Sequence, residues 1–297
     1  MRQRLTIAGG VALSAALWIL SPDVLTPADG SATQSLLFTG SGVALAILVT
    51  LLISIPIAAM AAIVSAGGHP LSGLFVAATS LIIYTGMGGS IDSWIRAADS
   101  PASYRTLAIE MILWQIGAML VLTLSALLRR WLRNRWSWLS HEEFSDHSIR
   151  LLSPSPATFL AGLVTAAVGG VATMVLLRSP DTGQVIGALV VAFTAGGLAG
   201  QYCFPTMRNP LGMLLAPAVV ACIAYLYVSM QYSSSQDMLA AYFNQATPGT
   251  TMKDRLPAAA MALPIHYISS GLAGTILGIG LGQVIHVAQK QTVATTA

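Results

Sequence analysis

Residues 36–64 contain no Asp, Glu, Lys or Arg. No surface in contact with water is built this way, whereas a hydrocarbon layer of about 30 Å takes roughly 20 such residues per helix. Seven further apolar stretches fall at about 5–20, 70–87, 107–128, 157–177, 185–204, 210–230 and 257–285. Backbone amides have no water to bond inside lipid, so each stretch predicts a helix. The 36–64 run is too long for one straight crossing, and Pro56 is expected to kink it. Charged residues make up 8% of the 297, against about 25% in a soluble domain. The expected fold class is therefore all-α, a polytopic membrane protein of about eight transmembrane helices. Disorder and a collagen repeat are excluded by the 55% hydrophobic content and by 27 glycines without a three-residue period. A disulfide framework is excluded by a total of two cysteines.

Basic side chains resist translocation and collect on the cytoplasmic face. With the N-terminus inside, Arg2, Arg4, Arg129, Arg130, Arg133, Arg135, Arg150, Arg208 and Lys290 are internal. Arg96, Arg105, Arg178, Lys253 and Arg255 are external, a division of nine against five. The expected location is the cytoplasmic (inner) membrane, multi-pass, with both termini in the cytoplasm. The opening Met1-Arg2-Gln3-Arg4 and its short apolar run also resemble a secretory signal. No small-x-small cleavage site follows, which favours a retained helix.

Three pairs of short motifs recur in the same order. Ser21-Pro22-Asp23 matches Ser179-Pro180-Asp181, and His69-Pro70-Leu71 matches Asn209-Pro210-Leu211. Ser90-Ile91-Asp92, with Pro101 and Arg105 following, matches Ser235-Gln236-Asp237, with Pro248 and Arg255 following. Ser, Pro and Asp punctuate helix ends in any protein, so no single match carries weight. Their common register predicts two parallel four-helix repeats, residues 1–128 and 156–297, joined by a cytoplasmic connector over 129–155. Such halves are common in transporters, where the site lies between them.

The connector begins Arg129-Arg130-Trp131-Leu132-Arg133 and continues through Trp136 and Trp138. On a helix Leu132, Trp136 and Leu139 share a face. The segment is expected to rest on the inner leaflet, with Arg130, Trp131, Arg133, Trp136 and Trp138 at the lipid interface. Its bland role is to set topology, and its alternative is to dock a regulator. His141-Glu142 lacks a second His four residues on, and the His141 to His147 spacing shares no helix face, so no metal site is expected.

Glu110 is the acidic residue placed inside a span, where a carboxylate costs about 2.5 to 3.5 kcal/mol at mid-helix. By helix rise it lies about 7 Å below the outer boundary. It either reaches headgroup water or Arg105, capping its helix, or handles a proton or cation. His266 is its counterpart in the second half, within Pro264-Ile265-His266-Tyr267-Ile268-Ser269-Ser270-Gly271. Pro264 is expected to free a carbonyl inside that span. A carboxylate and an imidazole facing each other could bind a cation or pass a proton. Gln115, Tyr267, Ser269 and Ser270 would supply further hydrogen bonds. The bland reading of His266 is a packing residue with polar neighbours.

Small residues at four-residue spacing (162, 166, 170; 192, 196, 200; 274, 278, 282) predict close helix contacts rather than hinges. Tyr84, Tyr225 and Tyr227 read as an aromatic belt. Cys203 and Cys222 read as packing residues. The sequence lacks a Walker lysine, a lysine within a span and a nucleophile elbow, and supports no enzyme and no cofactor. Nucleic acid is not an expected partner. The partners expected are the lipid bilayer and either further copies of the chain or a membrane complex. The function expected is an integral membrane permease for a small solute or ion, with the proton as one coupling ion, whose site lies between the repeated halves. The alternative is a non-catalytic membrane subunit that anchors, assembles or regulates a larger complex.

Overall fold

A computed structural model of the chain describes residues 2–20, 24–25, 34–66, 69, 71–89, 91–98, 100–135, 155–205, 209–244 and 255–296. The regular structure among these is helical. In chain order the helices are α1 (Arg2–Ile19), α2 (Val43–Ala66), α3 (Ser72–Gly86), α4 (Ile91–Ala97), α5 (Ala102–Arg135), α6 (Pro156–Leu176), α7 (Thr182–Cys203), α8 (Leu211–Gln231) and α9 (Ser235–Phe243). A 3-10 turn (Ala258–Met261) then leads into α10 (Pro264–His266), a π-helical turn (Tyr267–Gly271) and α11 (Leu272–Thr296), the last three forming one rod. Among the described residues six helices are long and apolar enough to cross a membrane: Val43–Ala66, Ala102–Leu132, Pro156–Leu176, Thr182–Cys203, Leu211–Gln231 and Pro264–His286. Gln3–Ile19 and Ser72–Gly86 are apolar but shorter.

Local chemistry accounts for the helix starts. Ser155 accepts a bond from the Thr158 amide ahead of Pro156, and the Asp181 carboxylate accepts one from the Gly183 amide. Ser234 caps α9 through the amide of Asp237. Each supplies an acceptor to the orphan donors of a first turn. The turn into α2 is made at Gly42, whose φ of +95° suits a residue without a side chain.

The same order of packing occurs twice. α1 lies against α2 and α3, as α6 lies against α7 and α8; α2 packs on α5, as α7 packs on α11. Across the middle, α5 meets α8, while α3 meets the π turn and α11. A short helix follows the third member of each series, α4 after α3 and α9 after α8. α4 and α9 meet at one end of the bundle.

Backbones touch at several small residues of the four-residue spacing, among them Gly196, Gly274 and Gly278, and also at Gly197, which that spacing does not include. A Cβ on Gly197 would lie 2.5 Å from the Thr275 carbonyl oxygen, and one on Gly274 at 2.5 Å from that of Val190. These two contacts lock α7 to α11. Gly196 sits as closely on Thr165 of α6, at 2.6 Å. The outward faces are apolar: Leu48, Leu52 and Ile55 on α2, Ile109 and Ile112 on α5, and Phe159, Leu163 and Val171 on α6 are all exposed.

Four local expectations are corrected. Residues 129–135 are not a separate surface helix but the last turns of α5, since no Gly or Pro interrupts the run. Arg130 and Trp131 are exposed there, Arg133 lies in the same helix, and Trp136 and Trp138 fall outside the described residues. Pro264 frees no mid-helix carbonyl, because it occupies the first helical turn, where its missing amide costs nothing. The 36–64 run becomes helical only from Val43, and α2 continues through Pro56. Tyr225 is not in an aromatic belt: it is fully buried, whereas Tyr227 is exposed.

Candidate functional site

α5 presents two buried faces. Glu110 and Trp114, one turn apart, point toward the loop that precedes α2. Glu110 is fully buried and accepts four bonds: from the Ser35 hydroxyl at 2.5 Å, the Leu36 amide at 3.1 Å, the Leu37 amide at 3.3 Å and the Trp114 indole at 3.2 Å. Among the described residues no bond joins it to Arg105, the expected partner, which is exposed while Glu110 is buried. The reason is a demand elsewhere. Residues 34–38 are buried or half-buried without being helical, so their amides need an acceptor. The loop is held further by the Ser35 amide on the Leu25 carbonyl at 2.8 Å. Trp114 also lies beside Trp18, 6.5 Å between centroids, and Trp18 stacks on Tyr84 at 5.6 Å.

A second irregular segment, residues 256–263, is largely buried at the same end. Here the carbonyls need donors, and two tyrosines supply them. Tyr225 donates to Ala262 at 2.5 Å, and Tyr267 donates to Ala259 at 2.7 Å. Both rings belong to a continuous aromatic file, Trp94–Tyr104–Tyr225–Tyr267–Phe193, with centroids 5.6 to 6.4 Å apart. The file runs from α4 to the middle of α7.

The other face of α5 carries Tyr104, Ala108, Met111 and Gln115, at the spacing that aligns residues on one side of a helix. It meets the second series of helices: Tyr104 packs on Tyr225, and the Cys222 thiol of α8 lies 3.8 Å from the Ala108 carbonyl. Cys203 is exposed rather than packed. α10 and the π turn also pack on α5. On these packed elements buried polar atoms lack partners among the described residues: both atoms of the Gln115 amide and the Tyr104 hydroxyl on α5, both His266 ring nitrogens on α10, and the Ser270 hydroxyl on the π turn. Each such atom costs on the order of 1–3 kcal/mol unless something bonds it. The π turn widens the helix at Tyr267–Gly271, a distortion frequent at functional sites.

The six residues singled out by sequence therefore divide. Glu110 and Tyr267 are occupied in holding irregular backbone, and Ser269 donates to its own helix at the His266 carbonyl, 3.3 Å. Gln115, His266 and Ser270 remain with open bonding capacity in the junction. No hydrogen bond joins Glu110 to His266 among the described residues. Sequence reading missed Tyr104, Ser35 and Trp114, and took Tyr225 for an interfacial ring. Tyr104 and Trp114 share a helix with Glu110, but nothing in their spacing marks them.

Over the junction, α4 and α9 are latched together. Asp92 accepts from the Tyr242 hydroxyl at 2.5 Å and from Arg96 at 2.8 Å, and Arg96 lies 5.1 Å above the Phe243 ring. Burial pushes the Asp92 carboxyl up, but the Tyr242 and Arg96 bonds outweigh it and hold the group below its ordinary 3.8. A depressed carboxyl favours the folded state above the ordinary value and loses that contribution as pH falls through the lower folded value. Docking of α4 is expected to be constant from neutral pH down to about 5 and to loosen below about 4. The emission of Trp94, taken as the difference from a Trp94→Phe chain, would follow it. An acid transition unchanged by Tyr242→Phe would show that the latch contributes nothing.

Comparison with protein-family models, with curated proteins and with solved structures gives no match to this chain.

Proposed function

We propose that this chain is an inner-membrane permease for a small solute or ion, built as two parallel four-helix halves with eight spans and both termini in the cytoplasm. The halves are supported by the repeated packing order of α1–α2–α3–α5 and α6–α7–α8–α11 and by the paired short helices α4 and α9. In this reading α1 and α3 cross with the six longer helices, and the site lies where α5 meets the π turn. The observation that carries it is the buried, unbonded polar set of Gln115, His266 and Ser270. A transported solute or its water shell would complete those bonds, and the cost of leaving them open is the reason such groups mark pathways in lipid. Imidazole and carboxamide offer both donors and acceptors, which suits a small polar solute or a proton relay.

Water access separates this from a packed interior. In a chain whose Cys203 and Cys222 are replaced by Ser and Ala, Ser270→Cys is expected to react with a membrane-impermeant thiol reagent from one face of sealed vesicles, although Ser270 is fully buried here. Failure to react from either face would overturn the permease reading. The commitment of Glu110 to four structural bonds favours a second reading, a non-catalytic subunit of a membrane complex. That reading expects an inert Ser270→Cys together with a stoichiometric partner on purification from native membranes.

A further inference from the structure

A cavity of about 240 Å³ lies among α2, α3 and α5, with Ile268 of the π turn and Leu272 of α11 reaching its wall. Its inner wall is formed by Trp18, Leu74, Ala78, Trp114, Gly117 and Leu272. Hydroxyls reach the wall only from Thr50 and Ser54 among its lining, and the Ser54 hydroxyl is committed to the Thr50 carbonyl at 2.7 Å. None of Glu110, Gln115, His266 and Ser270 lines it. The cavity is thus distinct from the junction, and its contents are independent of whether the chain is a permease.

One side of this space is closed and the other open. Trp18, Leu74 and Leu272 at the back are 4%, 1% and 1% exposed, whereas Leu51, Ile116 and Leu120 at the front are 47%, 52% and 48% exposed. The mouth thus opens between α2 and α5, onto the same apolar surface that Leu48, Leu52, Ile55 and Ile112 present outward. On α5 the lining runs from Leu113 to Val121, roughly 12 Å of helix. Protein interiors are close-packed, and an apolar space of this size left empty forfeits dispersion contacts on every wall. Water is a poor occupant, because it needs two to four polar partners and the wall offers few.

We propose that the cavity holds one acyl chain of a bilayer phospholipid, entering sideways between α2 and α5 and ending against Trp114. The occupant is fixed by continuity: the mouth joins the lipid-facing surface, its lining is hydrocarbon and indole apart from Thr50 and Ser54, and its shape is elongated along the bilayer-crossing helices. Gly117 gives the means of closing it. A Cβ placed there meets no atom within 4 Å, so a larger side chain enters free space instead of clashing with backbone.

The test uses the full chain in phosphatidylcholine vesicles containing a phosphatidylcholine with a mid-chain diazirine. After photolysis, mass spectrometry should find Thr50, Leu74 and Trp114 labelled in excess of Phe159, Leu163 and Val171, which face the bilayer on α6. Gly117→Phe should reduce labelling of the wall several-fold and leave α6 labelling unchanged. Gly117→Ala, which keeps most of the space, should label like the parent. Should Gly117→Phe not fold, brominated acyl chains serve instead: they should quench the emission that Trp114→Phe removes. A wall that stays unlabelled and unquenched, whether covered by protein or dry, overturns the proposal. So does wall labelling that Gly117→Phe leaves unchanged. Neither outcome bears on the Ser270→Cys result.

Discussion

Replacing Glu110 by alanine should destabilise the chain by about 3–5 kcal/mol, because three buried donors and one half-buried donor lose their acceptor together and each orphaned buried donor costs on the order of 1–3 kcal/mol. The Ser35 hydroxyl can turn elsewhere and the Trp114 indole can shift slightly. The amides of Leu36 and Leu37 cannot, since their loop is packed inside and fixed at Leu25. Glu110→Gln should cost less, about 2 kcal/mol, since one oxygen still accepts while the new amide group faces a donor. The fraction of chain resisting thermal unfolding in detergent measures both. The two readings of Glu110 separate cleanly here. A carboxylate that serves only transport would leave Glu110→Gln as stable as the parent, while one that holds the loop would not.

The second large effect is expected where α7 meets α11. Gly197→Val puts its Cβ 2.5 Å from the Thr275 carbonyl oxygen. That atom is backbone in a packed helix and has no rotamer by which to move away. The helices must separate, breaking the neighbouring contact of Gly274 on Val190 as well. The expected loss is about 3 kcal/mol, the upper part of the range for overpacking. Gly187 is the control: a Cβ there meets no atom within 4 Å, and Gly187→Ala should gain about 0.5–1 kcal/mol from helix propensity. Thermal midpoints of the two chains should therefore move in opposite directions. Equal midpoints would mean that the α7–α11 contact is looser than described.

The long apolar helices were legible because their signal is local and summed over twenty residues: no charge, no break, a length set by lipid. The glycine ladders were legible for a similar reason, since four-residue spacing states which face approaches a neighbour. What failed were features defined by partners far away in sequence. Leu36, Leu37 and Phe38 read as the start of a span, because apolar character does not reveal that the Leu36 and Leu37 amides bond a carboxylate in another helix. Tyr225 read as an interfacial ring for the same reason, its obligation being to Ala262. Glu110 was found by its rarity, but rarity says that a group is costly and not what it does. His266, Gln115 and Ser270 were flagged by type, and only packing separated them from Tyr267 and Ser269.

The two buried irregular segments at the α4–α9 end have opposite wants. One offers protons and is met by a single carboxyl group; the other offers lone pairs and is met by two phenols. Exchanging the two loops would set carboxylate oxygens against carbonyls, where neither side has a proton to share, and would replace a carboxylate by phenol oxygens as the acceptor of the amides. The α4–α9 end of the bundle is therefore keyed, and its front and back cannot be interchanged however alike their rods are.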